Sequence, residues 1–457
     1  MYTLYRETDP ATTVDHSVFC HFLGGPDKQL VTIGAHHLRV FRLNPYVLVK
    51  DEEEGWKQTT KLECILSSHL LLPVQSLAVA RTPLASGECL LIGFDEAKLS
   101  VVAYDRTTDD VRTVSLHSFE EEILRGGFTR DFPTPIVRAD PESRCAAMLV
   151  YGRHLAILPL TTGGADVFDD DAATKKTHLF TYTVSLESLD ERLQNVTDIC
   201  FLHGYYEPTL LFLYEPMQTT AGRASIRQDT YCILGVSLNV KDRVQAVVWQ
   251  VGHLPLDCFR VLPVIKPIGG AVVIGTNEII YLNQSVPPCG VSTNSCIEGM
   301  TQFPLKNQQN QRVALDGSAV DFLTSDAMVI VARDGRLFVV TLLVDNTNAV
   351  KDIHIHCSTD TVIPYTVTTC GEEFLFVGSR LADSQLLRFT QATVLPVSVD
   401  GGADQPASKR ARLAGSTADN EDDHFDDLAL YGEIVAATSV RCDEYKLFFL
   451  LKPRAMR

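Results

Sequence analysis

The sequence predicts an all-β protein, and three observations carry that reading. A strand-turn-strand unit recurs seven times, its spacing is close to regular, and helix signals are sparse.

The clearest copy is LLIGFDEAKLSVVAYD at 90–105. An apolar run stops at Gly93, a short polar segment follows, and a second apolar run ends at Asp105, which reads as a hairpin. The same pattern returns as LVTIGAHHLRVFRL, MLVYGRHLAILPL, VVIGTNEIIYL and FLFVGSRLADSQLLRF. Two looser copies are LLFLYEP, whose partner strand YCILGVSL follows an insertion, and VIVARDGRLFVVTLL, with Ala332 in place of glycine. The residues that close the first strand of each pair are Gly34, Gly93, Gly152, Tyr214, Gly275, Ala332 and Gly378, spaced by 59, 59, 62, 61, 57 and 46. Repetition on this scale, with several strands per repeat, points to propeller blades. The expected fold is therefore a seven-bladed β-propeller of four-stranded antiparallel blades over residues 1–398. A disordered linker at 399–427 and an incomplete C-terminal segment at 428–457 are expected to follow it.

Within the second repeat the strands are expected at 75–81, 88–93, 98–104 and 111–117. The middle two are almost wholly apolar, as strands covered on both faces by neighbouring blades must be, whereas the fourth alternates as a half-exposed outer strand does. Val114 and Leu116 fall on one face of that outer strand, and Thr113, Ser115 and His117 on the other. The same alternation is expected through Tyr182, Val184 and Leu186, and through Val313 and Leu315. Residues 115–126 suit one short helical turn ending at Gly126. Loops are expected at 50–55, 161–176, 218–229 and 285–310, and loops on a rigid scaffold are where binding usually resides.

The 457 residues are 45% hydrophobic, enough for a sizeable core, and the net charge of −17 disfavours broad affinity for phosphate backbones. No apolar run approaches the roughly 18 residues that span a bilayer, and MYTLYRETDP has no signal-peptide core. Cytoplasm or nucleus is therefore expected. No two of the twelve cysteines form CxxC, and most lie in or beside apolar strands, so they read as reduced packing residues.

Catalytic and phosphate-cradling signatures of the GxSxG, GxxxxGK[ST] and HExxH types are absent, so neither an enzyme nor a cofactor is expected. His354, His356 and Cys357 in IHIHC could share a strand face, but no second ligand pair at metal-site spacing accompanies them. Tyr205 and Tyr206 in HGYYEP could stack on nucleobases or meet a partner; packing at a strand entrance is the plainer reading. In the linker, Lys409, Arg410 and Arg412 precede an acidic run at 421–427, a pattern that suits a nuclear-import address or a solvated charge run.

FLHGYYEPTLLFLYEP at 201–216, AGRASIRQDT at 221–230, DPESRCAAMLVYG at 140–152 and AKLSVVAYD at 97–105 carry a resemblance. So do MYTLYRE, KPIGG, YLNQSVPPCGV and VGSRLADSQLL, all in order along nearly the whole chain. The chain resembles the large scaffold subunits of the cleavage and polyadenylation specificity factor, relatives of the large subunit of the damaged-DNA-binding protein. That resemblance implies a non-catalytic nuclear scaffold of pre-mRNA 3′-end processing, a string of three propellers with a helical C-terminal domain. It would hold WD-repeat and CCCH zinc-finger subunits that read AAUAAA, so that pre-mRNA is contacted through those partners. It also implies that 428–457 is the truncated start of a second propeller or a divergent tail. Neither tryptophan precedes aspartate, so an ordinary WD-signature propeller is not implied. An adaptor of a ubiquitin ligase or DNA-damage complex, and a propeller enzyme with carboxylates and histidine at the inner strand ends, are the alternative readings.

Overall fold

The computed structural model describes residues 11–51, 55–127, 133–160, 179–297, 299, 301–308 and 311–389, with the backbone alone for 46–51 and 55–59. Seven antiparallel sheets follow one another along the chain, each with its strands in sequence order, and form a seven-bladed β-propeller. In the second blade the strands are Val74–Arg81, Glu88–Phe94, Lys98–Asp105 and Asp110–Ser118, within a residue of the sequence-based bounds. Its two middle strands are nearly continuous buried runs, Leu90, Leu91 and Ile92 among them. Separate apolar clusters fill the seams, each joining residues of two neighbouring blades.

The regularity breaks in four places. A bulge at the Val101/Val102 register shift disturbs the outer strand of blade 2, so Val114 packs on the core while Leu116 is exposed. The expected alternation therefore fails there. In blade 3, Tyr182 and Val184 do pack inward from Tyr182–Ser185, but Leu186 begins a one-turn helix, Leu186–Leu189. Val313 and Leu315 are buried in a connection rather than on an outer strand. The outer strand of blade 5 is Val286–Ser292, inside the stretch read as a loop, and Lys306–Asn307 adds a fifth, parallel strand. Prolines 287 and 288 and the following Cys-Gly hid it, because proline demotes a run in any strand reading. The expected turn before Gly126 is present as Glu122–Arg125, with Gly126 left-handed at its end.

Blade 7 contributes three strands, Thr366–Cys370, Phe374–Gly378 and Gln385–Arg388, among the described residues. It meets blade 1 directly: the Val14 N–H donates to the Ser379 carbonyl at 3.1 Å, and Ser17 Oγ bonds Thr368 Oγ1 at 2.6 Å. Close approach at this junction explains two of the recurring glycines. A β-carbon on Gly34 would lie 1.8 Å from the Thr13 carbonyl oxygen, and one on Gly378 would lie 2.9 Å from Val14 Cγ1. Both glycines sit at strand ends where the entering segment crosses the backbone.

The first strand of each blade is innermost, and polar residues there tie the ring together. At the third residue of the inner strands of blades 2 to 7 stand Ser76, Arg138, Asp198, Arg260, Asp321 and Thr368. Ser76 Oγ accepts from the Val137 N–H at 3.0 Å, Arg138 reaches Asp198 and the Ile199 carbonyl, and Asp198 accepts from the Val261 N–H at 3.0 Å. Arg260 donates to the Ser318 carbonyl at 3.2 Å, and Asp321 accepts from the Thr369 N–H at 2.6 Å. His16 and the Val74 carbonyl join blades 1 and 2 at 3.3 Å. All seven seams thus carry a side-chain hydrogen bond at their inner end. Such bonds have direction, which apolar packing lacks, and they register each blade against the next.

Candidate interaction surface

In a sequential four-stranded meander the connections alternate between two faces. One face carries the turns between second and third strands together with the blade-to-blade connections. The opposite face carries the other two turns of every blade.

Exposed large apolar side chains are divided unequally between them. The first face bears Leu71, Ile123, Ile226 and Leu381, all more than 80% exposed, with Met217, Ile363 and Tyr365 less so. The second bears Tyr206, 97% exposed, Phe180, 72% exposed, and Ile265. Scattered exposed apolar residues need no explanation, but an excess of them on one face is what a surface that meets something apolar shows. A cavity of about 270 Å³ opens there between blades 2 and 3, lined by Glu96, Ala97, Pro133, Pro135 and Tyr151. Charges ring this face as local pairs. Arg333 meets Asp316, Arg192 meets Asp190, and Arg380 pairs with Asp15 while stacking over the Tyr365 ring at 3.5 Å.

The second face holds the predicted tyrosines, which have different surroundings. Arg144 grips Asp140 through two bonds, Nε to Oδ2 at 2.7 Å and Nη2 to Oδ1 at 2.8 Å. Its Nη1 donates to the carbonyls of Tyr205 and Tyr206 at 3.1 and 2.7 Å. Asp140 is almost fully buried, so this charge-assisted pair fixes the Tyr205-Tyr206 loop to blade 3. Tyr205 packs onto the core shared by blades 4 and 5 and points its hydroxyl toward Gln284. Tyr206 is left presented to solvent, and Lys266, close to Gly204 of the same loop, pairs with Glu142 at 3.7 Å. The structure therefore separates the two: Tyr205 packs, and Tyr206 can reach a partner.

His354, His356 and Cys357 lie exposed on the outer strand Val350–Asp360 of blade 6, and no group of three metal-ligating side chains occurs among the described residues. Among the described residues seven cysteines are buried. Burial pushes the Cys20 thiol up to about 12 and raises Cys145, Cys200 and Cys370 further, so these thiols are protonated packing groups. The carboxylates at the inner strand ends are occupied with seam bonds: Asp198 takes three donors, and Asp321 takes the Phe322 and Thr369 amides. Lys409, Arg410 and Arg412, the acidic run, the 161–176 loop and residues 1–10 lie outside the described residues.

Two features escaped the sequence reading. One is the set of polar third positions, whose only signal is a lone polar residue in an otherwise apolar inner strand. The other is a buried acidic pair at the start of blade 5. Glu278 is fully buried, and its carboxyl is pushed up to about 9 by loss of solvent and by the charge of Asp257. Asn277 Nδ2 holds Asp257 Oδ2 at 2.6 Å, and the Glu278 carboxyl occupies the space beside Gly275 that a β-carbon would need.

A family model described as RSE1/DDB1/CPSF1 first beta-propeller matches residues 13–417. The chain belongs to this family. Among its relatives, the "Probable cleavage and polyadenylation specificity factor subunit 1" of Caenorhabditis briggsae is 46% identical over 438 residues, covering 94% of this chain and 29% of the relative. The "Cleavage and polyadenylation specificity factor subunit 1" of Drosophila melanogaster is 40% identical over 444 residues, 93% of this chain and 30% of the relative. The Arabidopsis thaliana protein of that name is 28% identical over 436 residues, 86% and 29% respectively. The chain thus spans under a third of the length of these relatives.

Proposed function

We propose that this chain is the first propeller of a non-catalytic scaffold subunit of the nuclear machinery that cleaves and polyadenylates pre-mRNA. The observation that carries this reading is similarity at 46% identity along 94% of the chain to a relative named as a subunit of the cleavage and polyadenylation specificity factor. The excess of exposed apolar side chains on one face supports a docking role. WD-repeat and CCCH zinc-finger subunits that read AAUAAA are the proposed partners, with that face as their seat. Pre-mRNA is reached chiefly through them, and Tyr206, on the opposite face, is the proposed contact for RNA or a further partner. Lys409, Arg410 and Arg412 are the proposed nuclear address, so alanine at all three should lower nuclear accumulation on imaging.

The test is co-expression of the full-length subunit with both partners. The wild type should co-purify with them, Leu71→Asp combined with Leu381→Asp should lose at least one, and Tyr206→Ala should keep both. A wild type that retains neither partner refutes the reading. Retention on a cullin instead would move the chain to the DDB1 branch that the family model also covers.

A further inference from the structure

The inner strands approach closely at six of the seven seams and least closely between blades 5 and 6. There Arg260, on Cys258–Pro263, reaches the Ser318 carbonyl next to Ala319–Phe322 through its Nη1, while apolar side chains of the two blades share one core. A guanidinium has five N–H donors, and among the described residues this carbonyl is the one acceptor that Arg260 reaches. It takes part in no ion pair there, whereas Arg138, at the same position in blade 3, meets three acceptors including the Asp198 carboxylate. Burial pulls the Arg260 guanidinium below its ordinary value; the charge of Asp198 opposes this, and that of Arg138 adds to it. A cation with this little compensation is costly to keep out of water unless something else meets it.

A second unmet group lies beside it. Ser318 is 3% exposed, and its Oγ has no hydrogen-bond partner, although its carbonyl is the one that Arg260 holds. Spare N–H donors on a planar fork and an orphan hydroxyl together complement a tetrahedral oxyanion. Two parallel N–H bonds suit two oxygens of a phosphate, and the hydroxyl can donate to a third. Asp198, the carboxylate nearest in effect to Arg260, is already clasped by Arg138 and two backbone N–H groups, which spreads its charge.

We infer that the inner end of the seam between blades 5 and 6 is a binding site for a phosphate-like oxyanion, held by Arg260 and Ser318 Oγ. The source is either free inorganic phosphate or the phosphate of a small monoester, and the same chemistry recognises both.

The test is calorimetric titration and thermal unfolding of the whole chain with inorganic phosphate and, separately, with O-phosphoserine. Chloride at matched ionic strength is the control. Wild type should show saturable phosphate binding and a saturable rise in Tm that chloride does not give. Binding of phosphate but not of O-phosphoserine assigns the free ion, and binding of both admits a monoester. Arg260→Met should lose the response while its Tm without phosphate stays level or rises, because an apolar side chain replaces an uncompensated cation. Arg260→Lys keeps charge without the fork and should bind about tenfold more weakly. Ser318→Ala should weaken binding without lowering the basal Tm. Absence of any saturable response in wild type overturns the proposal. So does an Arg260→Met variant that loses basal stability yet responds to phosphate like wild type, since Arg260 would then be only a strut.

Discussion

Asp198 and Arg260 stand at the same place in neighbouring blades, the third residue of an inner strand, and their environments are opposite. Asp198 receives Arg138, its own strand's Ile199 amide and the Val261 amide of the next blade. Arg260 donates to one carbonyl across the seam whose inner strands approach least closely. The comparison separates two uses of one architectural position. A polar group with all its bonds made is a clasp that sets blade register, and one with bonds to spare is open to a ligand.

The clasp is the place to break this contrast hardest. Asp198→Ala leaves Arg138 without its carboxylate and the Val261 amide without an acceptor, so a loss of about 3–5 kcal/mol is expected in urea unfolding. A loss below about 1 kcal/mol would mean that the axis is open enough for water to replace the carboxylate.

Glu278 sharpens the contrast by pH. Its folded carboxyl titrates near 9 against an ordinary value of 4.5, so between those limits the folded state holds a proton that the unfolded chain has released. The contribution of this group to stability is therefore fully present below about pH 4.5 and is lost as pH rises toward 9. Glu278→Gln, permanently neutral, should remove that slope and gain on the order of 3 kcal/mol near neutral pH. Tm measured from pH 5 to 9 checks it, and parallel profiles for the two proteins would show that Glu278 is ionised in the fold.

The smallest effect is expected at the junction of blades 7 and 1. Ser17→Ala removes the hydroxyl shared with Thr366 and Thr368 at a site that is only part-buried, so about 1 kcal/mol should be lost. Ser76→Ala should cost more, because Ser76 is buried and its oxygen serves the Val137 amide. Equal losses at the two serines would deny that burial distinguishes the seams.

Much of the ring could be read from residue order because its signals are local. Leu90 to Ile92 and, Ser100 apart, Leu99 to Val102 are apolar on both faces, which only strands between two blades require, and both are buried. The same logic failed at 285–310, where Pro287 and Pro288 masked a strand, and at Leu116, where a bulge shifted the phase. Tyr205 and Tyr206 were indistinguishable as neighbours in one motif. A distant residue, Arg144, holds their loop so that one packs and one protrudes.

Blade number, the apolar middle strands and the family pattern were thus determined by the sequence itself, since each depends on residues within one hairpin or on their repetition. The tertiary structure alone decided which polar residues meet. Across six of the seven seams the partners lie 48 to 63 residues apart, as Asp321 from Thr369 and Asp198 from Val261 do, and across the closing seam Ser17 and Thr368 lie 351 apart. It also decided that more of the exposed apolar loop residues lie on one face than on the other, and that Arg260 lacks the carboxylate that Arg138 finds. Pairing across blades depends on how closely two seams approach in space, a distance that no local periodicity encodes.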